Sequence, residues 1–536
     1  MSPFVTAVPR LTKGELFEIL NSRFKDDGIT RLSDLQDPFA FKDMHKAVER
    51  IQEAIEGKER ITLIGDYDVD GVTSSVIVKE FFDLIGYPLE VVIPNRFSDG
   101  YGISPKVLER VDADLIITVD NGISGLEAAR LCKERGIDLI ITDHHTCPET
   151  LPDAYAIINP KQPGCGYAFK EICGATVAWY LAGALKKQLK ADCDMKQFLD
   201  LLTIATIADA VPLISANRVI VRYGLKALES SRRPAIQAFK DKIGKESFTS
   251  EDVGFAIAPK LNAAGRMNSA HEAYEFLIAS NLREASRWLE YLWQLNNQRK
   301  EIEAAITAQA KEMVDPDEKV IVVWGEEWHE GVIGIVASRL VDAFKLPAIV
   351  FSINNWVAKG SARSIGDVDI YSLIKDQQAM LKGFGGHMQA AGLSIDATNL
   401  EAFKAAINAT AKGLDESLFT PHVNLIGKMP FEHLDGECFG IIEQFEPYGM
   451  ANPKPLFLAE EADVVNCTRV GSNQDHMKLL LRAEGKDVKK AMAFFCDLDL
   501  MDGDRVSFAF SLVKNEFRNE VNYELQIKEF FDVDVS

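Results

Sequence analysis

The sequence predicts an α/β protein of several units. A parallel-sheet domain is joined by a long helix to a smaller α/β domain, and a C-terminal β-barrel of OB type follows. Three observations predict this. Short apolar β-type segments alternate with amphipathic stretches between residues 61 and 142, as in βαβ units. A run without Pro or Gly keeps helical periodicity from Leu282 to Met313. After residue 413 the pattern changes to short alternating strands with turn-like breaks.

The elements follow in order. Residues 1–50 are helical in pattern and carry no chemical signal, so they form an N-terminal extension. Strands are expected at Ile61–Gly65, Leu89–Ile93, Leu115–Val119 and Asp138–Thr142, with helices at Val72–Leu84 and Gly125–Arg135 between them. A further strand is expected at Thr203–Ala208. Residues 51–280 make the first domain. The segment 281–314 is the connecting helix, whose run Leu282 to Met313 is about 48 Å long at 1.5 Å per residue, ended by Asp315-Pro316. Residues 315–412 form the second domain, with strands Lys319–Trp324 and Ala348–Phe351, closing around the glycine-rich stretch Gly383–Gly392. Residues 413–536 carry the barrel strands Phe457–Leu458, Met477–Arg482, Lys490–Phe495, Arg505–Leu512 and Asn522–Phe531.

Composition narrows the class. The chain has 536 residues, 47% hydrophobic and 26% charged, which is enough apolar content for real cores. Its eight cysteines include no C-x-x-C pair, so they read as reduced thiols and not as a disulfide frame or zinc site. Residues 1–20 lack a signal-like apolar run and no apolar stretch is long enough to span a membrane; a cytoplasmic, membrane-free protein is expected. With 59 Lys+Arg against 80 Asp+Glu the net charge is −21, which argues against a non-specific coat on duplex DNA. A narrow groove beside bound cations is still compatible with nucleic acid.

The most informative stretch is Gly65-Asp66-Tyr67-Asp68-Val69-Asp70-Gly71, directly after a strand. Ligands collect beyond the carboxyl ends of parallel strands, and carboxylates crowded there repel one another unless a cation lies among them. The pattern repeats at Asp120-Asn121-Gly122, at Asp143-His144-His145 and at Asp209. Hard carboxylates with imidazole and no thiolate favour Mn²⁺ or Mg²⁺ over structural zinc. So many ligands suit two ions that share a carboxylate.

These residues resemble the DHH phosphoesterase superfamily, named for the motif present here as Asp143-His144-His145. Within it, the likeness is to the bacterial branch that degrades single-stranded DNA. The resemblance runs from about residue 50 to 535 and includes Ile207–Leu213, Pro259–Met267, Trp328–Leu340, Ser361–Ser364, Gly385–Gly392 and Pro447–Phe457. It implies that Asp66, Asp68, Asp120, His144 and Asp209 hold two divalent ions, Mn²⁺ preferred or Mg²⁺, with Asp120 as the bridge. His145 would approach the scissile phosphate, and Asp70 would support or join the ligands as part of the catalytic set. For substrate it implies Arg96, Tyr101, Asn262 and Arg266 from the first domain, and Ser361, Arg363, Gly385, Gly386 and His387 from the second. It further implies 5′→3′ release of mononucleotides from single-stranded DNA, a monomer, and two partners: a single-stranded-DNA-binding protein and a RecQ-type helicase.

The chain departs from related patterns at two positions. Thr62 stands where the pyrophosphatase branch has His, and Ala451 where the barrel-proximal motif usually has Gly. The rival readings are a superfamily enzyme acting on short oligonucleotides or cyclic dinucleotides, a scaffold that has lost the chemistry, and a plain single-strand-binding protein. The barrel argues against the first, and the complete ligand set against the other two. Trp288 and Trp293 read as packing residues, and His271, His422, His433 and His476 receive no role.

Overall fold

The first sheet is wholly parallel, in the order β2-β1-β3-β4-β5, with β1 at Ile61–Ile64, β2 at Glu90–Val92, β3 at Leu115–Val119, β4 at Asp138–Thr142 and β5 at Ala156–Ile158. Chain direction across the sheet reverses between β1 and β3. This switch point opens a crevice at the carboxyl ends of these two strands. Each of β1 and β3 is buried along its whole length, so continuous apolar runs form strands covered by helices on both faces. The structure is a computed structural model, and it describes residues 8–24, 28–421, 424–471, 474–483, 487–517 and 520–534. His422 lies outside them.

Two expectations need correcting, and two elements were not foreseen. Thr203–Ala208 is not a strand: it ends the helix Leu199–Ala208, with Asp209 at its C-cap. A continuous apolar run buried on all sides has no period to separate strand from helix. The glycine-rich segment, to which no element was assigned, forms the hairpin of β9 (Leu381–His387) and β10 (Ala390–Asp396). The strand β5 was not expected at all. The N-terminal 50 residues are not one unit. The helix Lys13–Ser22 buries Leu16 and Leu20 in the barrel core, and the Leu11 N–H donates to the Lys428 carbonyl at 2.8 Å. The helix Met44–Gly57 packs instead into the first domain.

The long helix spans Leu282–Glu312 and starts where the Asn281 side chain accepts the Glu284 N–H at 3.0 Å. Ala285, Leu289 and Leu292 belong to the core of the first domain, while Ile306 and Ala310 belong to that of the second. One rigid element therefore sets the spacing of two cores. The second sheet runs β6-β7-β8-β10-β9, where β6 is Ile321–Glu326, β7 Ala348–Asn354 and β8 Val357–Arg363.

In the barrel, β11 (Leu425–Gly427) leads to β12 (Leu456–Val470), β13 (His476–Arg482), β14 (Val488–Ala493), β15 (Arg505–Phe517) and β16 (Glu520–Asp534). The long β12 pairs with both β13 and β15, which closes five strands on themselves. Ala451, just before β12, has φ 61°, the left-handed conformation that explains why glycine suits this position. No helix among the described residues is long and apolar enough to cross a membrane.

Candidate metal centre and substrate face

The carboxylates are placed by backbone geometry at the switch point. Asp66 and Asp68 follow β1, and Asp68 caps the helix Val69–Leu84 by accepting the Asp70 and Gly71 N–H groups at 2.9 and 3.1 Å. Asp70, in the first turn of that helix, accepts the N–H groups of Gly174 and Ala175 at 2.6 and 2.8 Å, at the start of the helix Gly174–Leu189. Two helix N-termini thus converge on one carboxylate. Asp120 follows β3 with φ 63°, an uncommon conformation for a residue other than glycine. Gly174 lies directly over it, and a Cβ there would fall on the Asp120 carboxylate.

Asp66, Asp68 and Asp120 form one group with ligand atoms within 4.8 Å of one another, Asp70, His144 and Asp209 a second, and Asp120, His144 and His145 a third. His144 Nε2 lies 3.2 Å from Asp120 Oδ1 and 3.7 Å from both Asp70 Oδ2 and Asp209 Oδ2. Asp66 and Asp120 are 3% and 1% exposed. Asp66 Oδ1, Asp120 Oδ1, His144 Nε2 and Asp209 Oδ2 are buried without a hydrogen-bond partner. Leaving such groups unmatched costs several kcal/mol each, and cations would satisfy all four. The residues present therefore fit divalent metal.

The electrostatics agree. Burial, then the charge of Asp68, drives the Asp66 carboxyl well above its ordinary range; burial, then Asp70, does the same to Asp120. Asp209 is pushed up to about 9, by burial first and then by Asp70 and Asp68. It also sits at the negative end of its helix, a poor place for an anion without a cation nearby. Burial and the neighbouring His145 pull His144 down to about 3, so its short approaches to carboxylates involve a neutral ring, the form that ligates metal.

His145 is set differently. Its Nδ1 lies 2.7 Å from Asp143 Oδ1, which also accepts the backbone N–H groups of His144 and His145, at 2.7 and 3.0 Å. Burial alone would lower this imidazole, but Asp143, with Asp209 and Asp66 behind it, raises it to about 9. With Nδ1 turned to Asp143, Nε2 is left for a substrate oxygen. Asp143 was quoted above as part of the motif without a role; the structure makes it the residue that orients His145. Asn121 was missed as well. Its amide donates to the Ile64 and Val119 carbonyls at 3.1 and 2.9 Å and accepts the Ile103 N–H at 2.9 Å, tying β1, β3 and the Tyr101 loop together. The only sequence signal was an amide, able to donate and accept at once, beside an expected ligand.

Of the expected substrate residues, Tyr101 stands beside the centre. Its hydroxyl donates to the Asp120 carbonyl at 3.3 Å and lies 3.4 Å from His145 Nδ1. The Arg96 guanidinium stacks 4.3 Å from the Tyr67 ring centroid. Asn262 Oδ1 accepts the Val69 N–H at 3.2 Å, so its contact supports the helix start that bears Asp68 and Asp70. Arg266 donates to the Gly331 carbonyl of the second domain at 3.3 Å, and burial, then Arg96, lowers it to about 10, with Arg299 and Arg363 adding to the effect. Arginines from both domains thus share one field next to Asp68.

In the second sheet, Arg363 pairs with Ala390 and Ala390 with His387; Ser361 pairs with Gly392 and Gly392 with Gly385. Alternation along strands puts Ser361, Arg363, Gly385 and His387 on one face. The helix Ile333–Phe344 begins over it, since a Cβ on Gly334 would lie 2.9 Å from Ser361 Oγ. Gly386 has φ 148°, and a Cβ there would strike the neighbouring β10 backbone. His387 stands exposed at the end of β9. Trp328 is a packing residue whose Nε1 donates to Gln309 Oε1 at 3.0 Å. His329 Nδ1 accepts the Gly331 N–H at 3.1 Å, and its ring meets Phe97 of the first domain edge-on at 5.6 Å.

Fold and site together define a metal-dependent phosphoesterase of the DHH class. Residues 60–206 match the DHH family, N-terminal domain; 317–413 match the DHHA1 domain; and 427–529 match the RecJ OB domain. The single-stranded-DNA-specific exonuclease RecJ of Haemophilus influenzae is 33% identical over 92% of this chain and 92% of its own length. That of Bacillus subtilis is 37% identical over 93% of this chain, which spans 65% of the relative's length. A crystal structure of RecJ in complex with Mn²⁺ from Thermus thermophilus matches with a TM-score of 0.80 at 30% identity, covering 92% of this chain and 72% of that one. Its counterpart with Mg²⁺ has a TM-score of 0.75. The chain belongs to the RecJ family of single-stranded-DNA-specific exonucleases, metal-dependent hydrolases of phosphodiester bonds.

Proposed function

We propose that this protein removes nucleotides one at a time from the 5′ end of single-stranded DNA, releasing 5′-mononucleotides during DNA repair and recombination. The observation that carries the reading is the convergence of four unpartnered buried ligand atoms, from Asp66, Asp120, His144 and Asp209, at the switch point of the sheet. When bound, two divalent ions, Mn²⁺ or Mg²⁺, polarise the phosphate and bring the pKa of an attacking water near neutrality. Asp120 belongs to two of the three ligand groups, which supports its role as the bridge, and Asp70 joins the two helix starts beside it. His145 directs Nε2 at the scissile phosphate. Water adds to phosphorus, the P–O3′ bond breaks, and the 3′-oxygen of the departing nucleotide takes up a proton.

Arg96 and Arg266 neutralise phosphates at the domain junction, and Tyr101 offers a ring beside the first base. Ser361, Arg363, the bare backbone of Gly385 and the exposed His387 share the face that would receive the terminal 5′-phosphate, which sets the polarity. Family membership supports a cytoplasmic monomer whose partners are a single-stranded-DNA-binding protein and a RecQ-type helicase.

The test is digestion of 5′-phosphorylated single-stranded and duplex DNA in Mn²⁺ by wild type and Asp120→Ala. Mononucleotides should appear from the single strand alone, with the substitution slowing release by roughly a thousandfold or more. Turnover of dinucleotides without any release from long strands would move the assignment to an oligonucleotide phosphodiesterase.

A further inference from the structure

A hollow rich in cations lies where the N-terminal arm meets the helix Ser215–Ser230. It measures about 530 Å³, and Arg23, Arg218 and Arg222 line it together with the apolar side chains of Ile29, Phe169 and Val219. A smaller hollow of about 230 Å³ adjoins it, sharing Thr30 and Arg222 and adding Arg31 and Lys226. Among the described residues no carboxylate lines either one, in a chain whose net charge is −21. None of the candidate metal ligands or expected substrate residues lines them.

The cations stand where elementary electrostatics disfavours them. Arg218, Arg222 and Lys226 follow one another at successive turns along one face of the helix, where like charges repel. Arg218 closes the first turn, beside the positive end of the helix dipole, and Ile214 provides no side-chain cap there. A solvated stripe would extend its charges into water, but Arg218 does not. Its guanidinium stacks 3.6 Å from the Phe24 ring centroid, donates to the Glu446 carbonyl at 3.5 Å, and keeps Nε buried without a partner. Burial, then Arg222, pulls Arg218 down to about 10, and burial lowers Arg23 as well. Arg23 donates to the Pro453 carbonyl at 2.5 Å, yet no ion pair among the described residues engages Arg23, Arg218 or Arg222. The arrangement inverts the metal centre: charges of one sign are drawn partly out of water, and an ion of the other sign would relieve their repulsion.

We propose that these two hollows form a binding site for a nucleoside polyphosphate. Its phosphates lie among Arg218, Arg222 and Lys226, and its nucleoside rests on the apolar side of the larger hollow. A monophosphate carries about two charges, whereas five cations line the two hollows. Guanidinium forks take phosphate oxygens in pairs, which suits a chain of phosphates. The apolar wall and a volume typical of small-molecule sites favour a ligand with an organic body over a bare polyanion.

The experiment is calorimetric titration of the whole chain in Mg²⁺ with ATP, GTP, AMP and inorganic triphosphate, for wild type, Arg222→Gln, Arg222→Glu and Asp120→Ala. ATP or GTP should bind wild type and Asp120→Ala alike, about tenfold more tightly than AMP or triphosphate. Arg222→Gln should weaken that binding about tenfold, the scale of one charge-assisted contact, and Arg222→Glu should weaken it further. Arg222 is exposed, so both variants should fold, and Arg222→Gln, relieved of repulsion from Arg218, should melt no lower than wild type without nucleotide. Both should keep the wild-type kcat on 5′-phosphorylated strands. Absence of binding by wild type would overturn the site. So would binding lost in Asp120→Ala and kept in Arg222→Glu, which would place the nucleotide at the metal centre. Triphosphate held as tightly as ATP and GTP would overturn the nucleoside. Single-stranded DNA that displaces the nucleotide, and itself weakens in Arg222→Glu, would make the hollows part of the strand's path and overturn the proposal too.

Discussion

The two surfaces proposed to meet a phosphodiester are built in opposite ways. In the first domain, Asp66, Asp70 and Asp120 are buried, and the backbone fixes their positions: a helix cap at Asp68, two helix starts around Asp70, and Gly174 against Asp120. In the second domain, Ser361 and Arg363 are half-buried, His387 is exposed, and Gly385 has nothing within 4 Å of where a Cβ would stand. A reacting phosphorus tolerates little misplacement, so its ligands are over-determined. A terminal phosphate, if bound as proposed, needs only donors on a half-buried face, which side chains of one sheet supply. Substitutions should therefore act on kcat in the first region and on KM in the second.

The largest effect expected beyond the ligands themselves is at Asp143. Removing it by Asp143→Ala leaves His145 free to rotate and change tautomer, and kcat should fall roughly a hundredfold with KM nearly unchanged. Steady-state kinetics on a 5′-phosphorylated strand decides this, and a loss confined to KM would undo the contrast.

Next comes the loop that carries Arg96 and Tyr101. The Arg110 guanidinium grips both oxygens of Asp99 at 2.9 and 2.6 Å, and the Asn95 N–H adds a third bond at 2.8 Å. Arg110 thereby holds the Asp99 carboxyl down to about 2, against 3.8 ordinarily. A depressed pKa means stability that is fully present above the ordinary value and lost as pH falls through the folded one. With Arg110 half in solvent, the contribution is about 1–2 kcal/mol. In urea titrations, the advantage of wild type over Asp99→Asn should be flat above about pH 5 and shrink from about pH 4 toward pH 2.

The same contrast explains what the sequence disclosed. The convergence of Asp66, Asp68, Asp120 and His144 was legible because apolar runs of strand length end in or just before them, and parallel strands bring such ends together. Asp209 was legible as a candidate ligand but not in its setting, since the apolar run before it is a helix and not a strand. The role of Asp143 was hidden because no local pattern says which neighbour a buried carboxylate will orient. The hairpin at Gly383–Gly392 was hidden because its glycines resemble a turn until β8 offers an edge to pair with. The docking of the Lys13–Ser22 helix on the barrel is a contact across more than four hundred residues, for which periodicity carries no information.

In the second sheet, Arg363→Ala should raise KM about tenfold for strands with a 5′-phosphate, the scale of one charge-assisted contact. It should leave 5′-hydroxyl strands nearly unaffected. Equal loss on both ends would mean that Arg363 meets an internal phosphate and that polarity is set elsewhere.

The smallest and most discriminating change is Gly385→Ala. A methyl there meets no neighbour, and a residue with a Cβ restricts the unfolded chain, so the melting temperature should hold or rise slightly. Yet the added carbon stands on the face shared by Ser361 and Arg363, where a phosphate would lie against bare backbone. A KM increase of about threefold, with kcat and stability intact, is expected if the phosphate approaches that closely. If KM does not move, the terminal phosphate is held by side chains alone, and the openness of this strand serves the strand's passage and not its end.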